Sequence, residues 1–183
     1  MTVPLSPPPS PDDDSIPTWV KYVLAPIVKF LSDLPATSSL DLTIALSSDI
    51  PLGGGLSSSA SLMVCISAFL EAIFTQASQQ SLLYNNTGID CPIEDLGAKR
   101  ALRAKQAENG EYVKSPCGIM DQFIISTANE NHLCLIKCGG EVGGRIVEMV
   151  PFGGDNNSSD APVLLVCDCG VRHSIAGGEY PIR

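Results

Sequence analysis

The stretch that most restricts how this 183-residue chain can fold lies at 51–60, Pro51-Leu-Gly-Gly-Gly-Leu-Ser-Ser-Ser-Ala60. Before it, residues 40–47 alternate: Leu40, Leu42, Ile44 and Leu46 are apolar, with Asp41 and Thr43 between them. That period of two predicts a half-buried strand. After it, residues 60–74 are apolar almost all round, which predicts a buried helix. A strand, a Gly/Ser turn and a buried helix in succession form an anion-holding arrangement. Glycines let backbone N–H groups approach the anion closely, and the helix N-terminus adds partial positive charge. Ser57, Ser58 and Ser59 add hydroxyl donors, and one of the three could ligate Mg²⁺. The competing reading is a flexible Gly/Ser linker. Its place between two core-seeking elements argues against a linker. No Lys follows as a GxxxxGK[ST] loop requires, and the spacing is not that of a GxGxxG turn.

Elsewhere the pattern is mixed. Residues 1–16 carry Pro at 4, 7, 8, 9 and 11 and then three Asp, and are expected to be a flexible lead. Residues 18–32 form a helical apolar stripe with Thr18 as candidate N-cap and Pro26 as its weak point. Residues 75–92 are polar and turn-forming, a surface connection. A second helix is expected from Pro92 to about Tyr112, and a short third over 118–128. Residues 133–137, 145–150 and 163–167 are expected strands, the last an unbroken β-prone run suited to a sheet centre. Gly139-Gly140 and Gly143-Gly144 mark turns. The order predicts an α+β domain, with helices layered on one sheet.

Composition narrows the function. The formal net charge of −9 argues against a nucleic-acid or acidic-membrane partner, and none is expected. A polyanion such as ATP would have to be held by local N–H groups and a metal. No apolar run approaches the roughly 20 residues of a membrane helix, and no secretory signal opens the chain, so a cytoplasmic location is expected. The seven cysteines form no CxxC pair, so reduced thiols packed as small hydrophobes are expected.

Three further places carry candidate chemistry. Pro116-Cys-Gly-Ile-Met-Asp-Gln-Phe-Ile holds one carboxylate, Asp121, near a helix start, where the dipole favours a negative charge. Phosphoryl transfer needs such a group beside the attacking hydroxyl, although an acid there can also simply cap its helix. Trp19, the single tryptophan, is either core or a ring for a base to stack on. His173 and Tyr180, in the last stretch, read from the residues alone as a helix start and a packing residue.

The string at 51–61 resembles the phosphate-binding motif of the GHMP sugar and metabolite kinases, most closely that of the galactokinases. Ala107-Glu-Asn-x-x-x-Val followed by Cys117-Gly-Ile-Met-Asp-Gln-Phe-Ile is similar to the galactokinase segment that carries the catalytic aspartate. The stretch 171–183 resembles the segment whose tyrosine touches the sugar, and Thr18-Trp-Val-Lys-Tyr-Val the helix whose tryptophan stacks near adenine. The resemblance runs through residues 17–183 in family order. It implies a GHMP-kinase-like N-terminal domain (ribosomal protein S5 domain 2-like), incomplete, with the start of a linker to a second domain.

It further implies ATP with Mg²⁺, and D-galactose as acceptor, in a protein that is monomeric at full length. Asp121 is implied as catalytic, Gly118 and Tyr180 as sugar contacts. Gly53, Gly54, Gly55, Leu56, Ser57, Ser58, Ser59 and Trp19 are implied as nucleotide contacts. N-acetylgalactosamine and arabinose kinases share the fold, as do non-catalytic sugar and ATP sensors. The family's N-terminal sugar-gripping motif, with its arginine, and its later glycine-rich motif have no match here. Little turnover is therefore expected from this chain by itself.

Overall fold

The computed structural model describes residues 2–3, 5, 7–33, 41–75, 96–138, 145–152, 163–168 and 170–171. Four helices and one hairpin make up its regular structure: α1 (Thr18–Ser32), α2 (Ser58–Thr75), α3 (Leu96–Asn109), α4 (Met120–Thr127), β1 (His132–Lys137) and β2 (Arg145–Pro151).

The helix α1 spans the expected residues, but its cap differs. Pro17 is the N-cap and makes no side-chain cap bond, so Thr18 is the first helical residue and not the cap. Proline suits this position because its fixed φ leads into a helix. Pro26 lies inside α1 and is buried, and the helix continues through it. Every third or fourth side chain of α1 faces the core: Val20, Val23, Leu24, Ile27 and Phe30. Val23, Ile27 and Phe30 pack with Ile66 and Leu70 of α2, and Phe30 and Phe74 lie tilted with centroids 5.3 Å apart. Burying such a side chain stabilises by about 1.5–3 kcal/mol.

Two sets of contacts fix the helix directions. Ala25 of α1 and Ala104 and Ala107 of α3 meet Met63 and Val64, near the start of α2. Toward the far end of α2, Glu71 takes Arg100 and Arg103 from the first half of α3. Thus α1 runs parallel to α2, and α3 runs antiparallel to both. The fourth helix turns back again. A Cβ added at Gly97, near the start of α3, would lie 2.7 Å from Ser126 O and 2.8 Å from Thr127 Cγ2 at the end of α4. Glycine lets these two helices touch backbone to side chain. As α4 is antiparallel to α3, its N-terminus lies at the same end as that of α2.

A buried ionic cluster ties three elements together. Arg103, 1% exposed, reaches Asp33 at 3.2 Å and Glu71 at 3.1 Å, and its guanidinium lies 5.0 Å from the Phe30 ring centre. Arg100 Nη2 holds the other Glu71 oxygen at 2.7 Å, and Lys29 holds Asp33 at 3.3 Å. Each buried carboxylate therefore has two cations.

The sheet is smaller than expected. Among the described residues it contains β1 and β2, antiparallel, with a register irregularity between Leu135 and Ile136. Ile136 packs against Ala101, Ile119 and Phe123, which joins the hairpin to α3 and α4. Residues 41–49 have no regular secondary structure and pair with no strand among the described residues, which corrects the strand expected over 40–47; Leu40 lies outside the described residues. The alternation holds over a short stretch only: Leu42 and Ile44 pack against the α1–α2 core while Thr43 and Ala45 face outward, but Leu46 is exposed. The expected central strand at 163–167 is corrected outright. Val163, Leu164, Leu165 and Val166 are 69–88% exposed and form no strand. A strand has no backbone partners within itself, so β propensity alone cannot form one.

Residues 8–16, expected to be flexible, make specific contacts. Ile16 is buried, Lys21 Nζ donates to Pro11 O at 2.7 Å, the Tyr112 hydroxyl donates to Pro9 O at 2.5 Å, and Lys114 pairs with Asp12 at 2.8 Å. The connection expected at 75–92, the start of the helix expected from Pro92, and Gly139–Gly144 lie outside the described residues, apart from Thr75, which closes α2.

Candidate functional site

The helix directions place four termini at one end of the molecule: the N-termini of α1, α2 and α4, and the C-terminus of α3. Most of the candidate residues that the structure describes sit there. Gly53 and Gly55 have φ of +66° and +76°, and Ser57, which precedes α2, has φ +57°. These left-handed conformations are open to glycine and costly for other residues. Ser57 O accepts from Ser61 N at 2.9 Å, which starts the helix and leaves the preceding turn outside it. Ser57, Ser58 and Ser59 are half-buried, as are Gly53 and Gly54, while Gly55 and Leu56 are exposed. Leu56 is 45% exposed, so it shields no core. No acidic side chain occupies the first turn of α2, so nothing there repels an anion.

Asp121 stands in the first turn of α4, half-exposed. It does not cap the helix: Ile119 is the N-cap and no side-chain cap bond is made. Among the described residues it has no hydrogen bond or ion pair. The purely structural reading of Asp121 as a cap is therefore not what the structure has. Gly118 is exposed, and a Cβ added there would meet nothing within 4 Å, so only something from outside these residues would require glycine. Trp19 is 62% exposed, which corrects the reading of it as core. It lies one turn before Tyr22, which packs against the Met63 and Val64 cluster. Trp19 and the Gly/Ser turn thus share one end of the α1–α2 pair. Tyr180 and His173 lie outside the described residues.

Glu108 and Asn109, which the sequence marked only as part of the string from Ala107, hold the Asp121 segment, as does Ser115. Glu108, 1% exposed, accepts from Gln122 Nε2 at 2.6 Å. Asn109 bonds Cys117 through both atoms of its amide. Ser115 N donates to Glu108 O at 3.0 Å. Burial first, then the Glu108 charge, push the Cys117 thiol up to about 11. The Tyr22 hydroxyl is also raised, by burial first and then by Glu108. Both groups are therefore neutral at physiological pH. A buried polar pair at the end of an alanine-rich helix was the available signal, but its partner lies 14 residues on.

The donor set fits a phosphate: a turn with left-handed glycines, three hydroxyls and a helix N-terminus. For a metal it offers hydroxyl oxygens. Among the described residues no three His, Cys, Asp or Glu side chains gather into a metal-holding group. No helix of the described residues is long and apolar enough to cross a membrane.

Comparison with known proteins points the same way. A family profile described as the GHMP kinases N terminal domain matches residues 21–129. The chain is 35% identical to human galactokinase over 169 residues, which is 91% of this chain and 35% of that protein. It is 36% identical over 166 residues to a galactokinase of Chloroflexus aurantiacus, covering 90% of this chain and 35% of that protein. With a Haemophilus influenzae galactokinase the identity is 31% over 165 residues, again 90% of this chain and 35% of the other. The chain thus spans about a third of the length of the relatives it matches. No solved structure matches it.

Proposed function

The chain belongs to the GHMP kinase family, and from that premise we propose that the protein carrying it is an ATP-dependent sugar kinase of the galactokinase type. The reaction is ATP plus D-galactose to galactose 1-phosphate plus ADP. The carrying observation is the convergence of the Gly/Ser turn at the start of α2 and the free carboxylate of Asp121 at the start of α4 on one end of the helix cluster. The galactokinase relatives supply the choice of sugar.

In this reading the N–H groups of residues 53–59 and the α2 dipole bind the triphosphate and orient its terminal phosphorus. The Ser57, Ser58 and Ser59 hydroxyls donate to phosphate oxygens, and Ser58 would hold Mg²⁺. When bound, that ion neutralises charge on the phosphate oxygens. Trp19 gives the adenine ring an apolar surface. Asp121 accepts, or orients, the proton of the anomeric hydroxyl, whose oxygen attacks in line. Gly118 leaves room for the sugar, and Tyr180 contacts it. The fold is the ribosomal protein S5 domain 2-like arrangement of this family, and the protein works in the cytoplasm as a monomer.

The test is ADP release by the whole protein that carries this sequence, with galactose, N-acetylgalactosamine and arabinose compared, beside Asp121→Asn. Turnover greatest with galactose and lost in the variant supports the proposal. A folded, ATP-binding protein that turns over none of the three sugars overturns it.

A further inference from the structure

The last two residues of α3 bracket the segment that carries Asp121. Asn109 Oδ1 accepts the Cys117 N–H at 3.1 Å and the Cys117 thiol at 3.0 Å, while Asn109 Nδ2 donates to the Cys117 carbonyl at 3.2 Å. The amide therefore pairs with both sides of one residue's backbone, as a neighbouring strand would. Next to it, Glu108 holds Gln122 Nε2 at 2.6 Å, and Gln122 also reaches the Cys117 sulfur at 3.4 Å. One residue of α3 thus fixes position 117 and its neighbour fixes position 122. Gly118, Ile119, Met120 and Asp121 lie between the two grips, and Ile119 is buried at 2% exposure to anchor the middle. The grip on Cys117 is a matter of aim more than of stability. Asn109 is exposed, so water can replace each of its bonds.

We propose that Asn109 is a positioning residue for the Asp121 carboxylate, acting by holding the backbone and thiol of Cys117. The inference rests on the kinase reading for its catalytic consequence, but the grip itself does not. Its side chain touches neither phosphate nor sugar in that reading. Its effect passes through the 117–121 backbone, whose direction sets where the carboxylate meets the acceptor hydroxyl. A displacement of about 1 Å at a reacting group costs on the order of 100-fold in rate.

The test compares the whole protein with Asn109→Ala and Asn109→Asp. Asn109→Asp keeps an acceptor for the Cys117 N–H and loses the donor to its carbonyl. Two readouts are taken. The first is kcat and the KM for ATP. The second, independent of activity, is alkylation of Cys117 by iodoacetamide at pH 8, followed by peptide mapping so that other thiols do not interfere. Burial first, and then the Glu108 charge, push the thiol up to about 11, so it reacts slowly. Loss of the Asn109 bonds acts by letting the segment open to water. Full relief of both causes, back to 9.0, would raise the thiolate fraction at pH 8 by about 100-fold, an upper bound.

The expected result is a 10- to 100-fold loss of kcat in Asn109→Ala (on the order set by such displacement), with KM for ATP unchanged. Cys117 alkylation is at least about 10-fold faster in Asn109→Ala; Asn109→Asp is intermediate in kcat, and its alkylation stays slow because the added carboxylate opposes the thiolate, as Glu108 does. Unchanged alkylation in Asn109→Ala would overturn the grip. Faster alkylation with unchanged kcat would overturn the positioning role. A parallel loss of kcat, ATP affinity and melting temperature would reassign Asn109 to general stability and also overturn it. If the unsubstituted protein turns over no sugar, the kinase reading has failed, and the alkylation rate still decides whether the grip exists.

Discussion

Replacing Arg103 by Met tests the packing logic that sets the helix directions. Arg103 is 1% exposed and bonds Asp33 and Glu71, which are themselves buried. Methionine fills similar space without charge, so the change leaves two buried carboxylates short of one cation. Removing one partner of a buried ion pair costs about 3–5 kcal/mol. Here Asp33 keeps Lys29 at 3.3 Å and Glu71 keeps Arg100 at 2.7 Å, which places the loss at the lower end. The expected destabilisation is about 3 kcal/mol. For a chain of this size that lowers the melting temperature by about 6–12 °C. The assay is urea unfolding followed by far-UV circular dichroism, with Glu71→Gln added in a double-mutant cycle. Because Glu71 loses one of its two cations in Arg103→Met, the two substitutions should be less than additive, with a coupling of about 1–2 kcal/mol. A loss in Arg103→Met below about 1 kcal/mol, the range of exposed pairs, would refute the reasoning.

Three further outcomes follow from the same geometry. Gly55→Ala puts a side chain at φ +76°, costing about 1 kcal/mol of local strain, and should weaken ATP binding measured by titration calorimetry while the fold persists. Gly97→Ala should destabilise despite a gain in helix propensity of about 1 kcal/mol, because the added Cβ would lie 2.7 Å from a backbone oxygen, an overpacking cost of about 1–3 kcal/mol; melting temperature reads the sign. Alkaline pH should destabilise the fold. The Cys117 thiol has an ordinary value of 9.0 and is pushed up to about 11, so above 9 the unfolded chain loses its proton first and stability falls until about 11. Tyr22, also raised, adds to the same trend above 10.0. Thermal melts of the protein and of Cys117→Ser across this range read the slope, which should be shallower in the variant.

The helices were legible because their signals are local. The stripe from Val20 to Phe30 gave α1 its limits. The third helix stops at Asn109, short of Tyr112, with Gly110 following. The strands were less legible because a strand needs partners from elsewhere in the chain. Residues 42–45 alternate in burial, yet Leu46 is exposed and no ladder forms among the described residues, and 163–167 lie exposed despite their composition. In the site, the glycine turn and Asp121 were readable from residue type and position. The bracket of Glu108 and Asn109 was not, since it joins a helix end to a turn through pairings that leave no periodic trace. Trp19 was ambiguous because a tryptophan suits both a core and a stacking surface. Its exposure decides against the core.

In the proposed function the turn at 53–59 and the segment at 117–121 form one phosphoryl-transfer site. Hydrogen exchange read by mass spectrometry, with and without MgATP and galactose, tests it most directly. Slowed exchange is expected in peptides covering 53–61 and 117–123 together, lost in 53–61 when Gly55 is replaced by Ala. Protection that spares 53–61, or falls only on segments away from the start of α2, would contradict it.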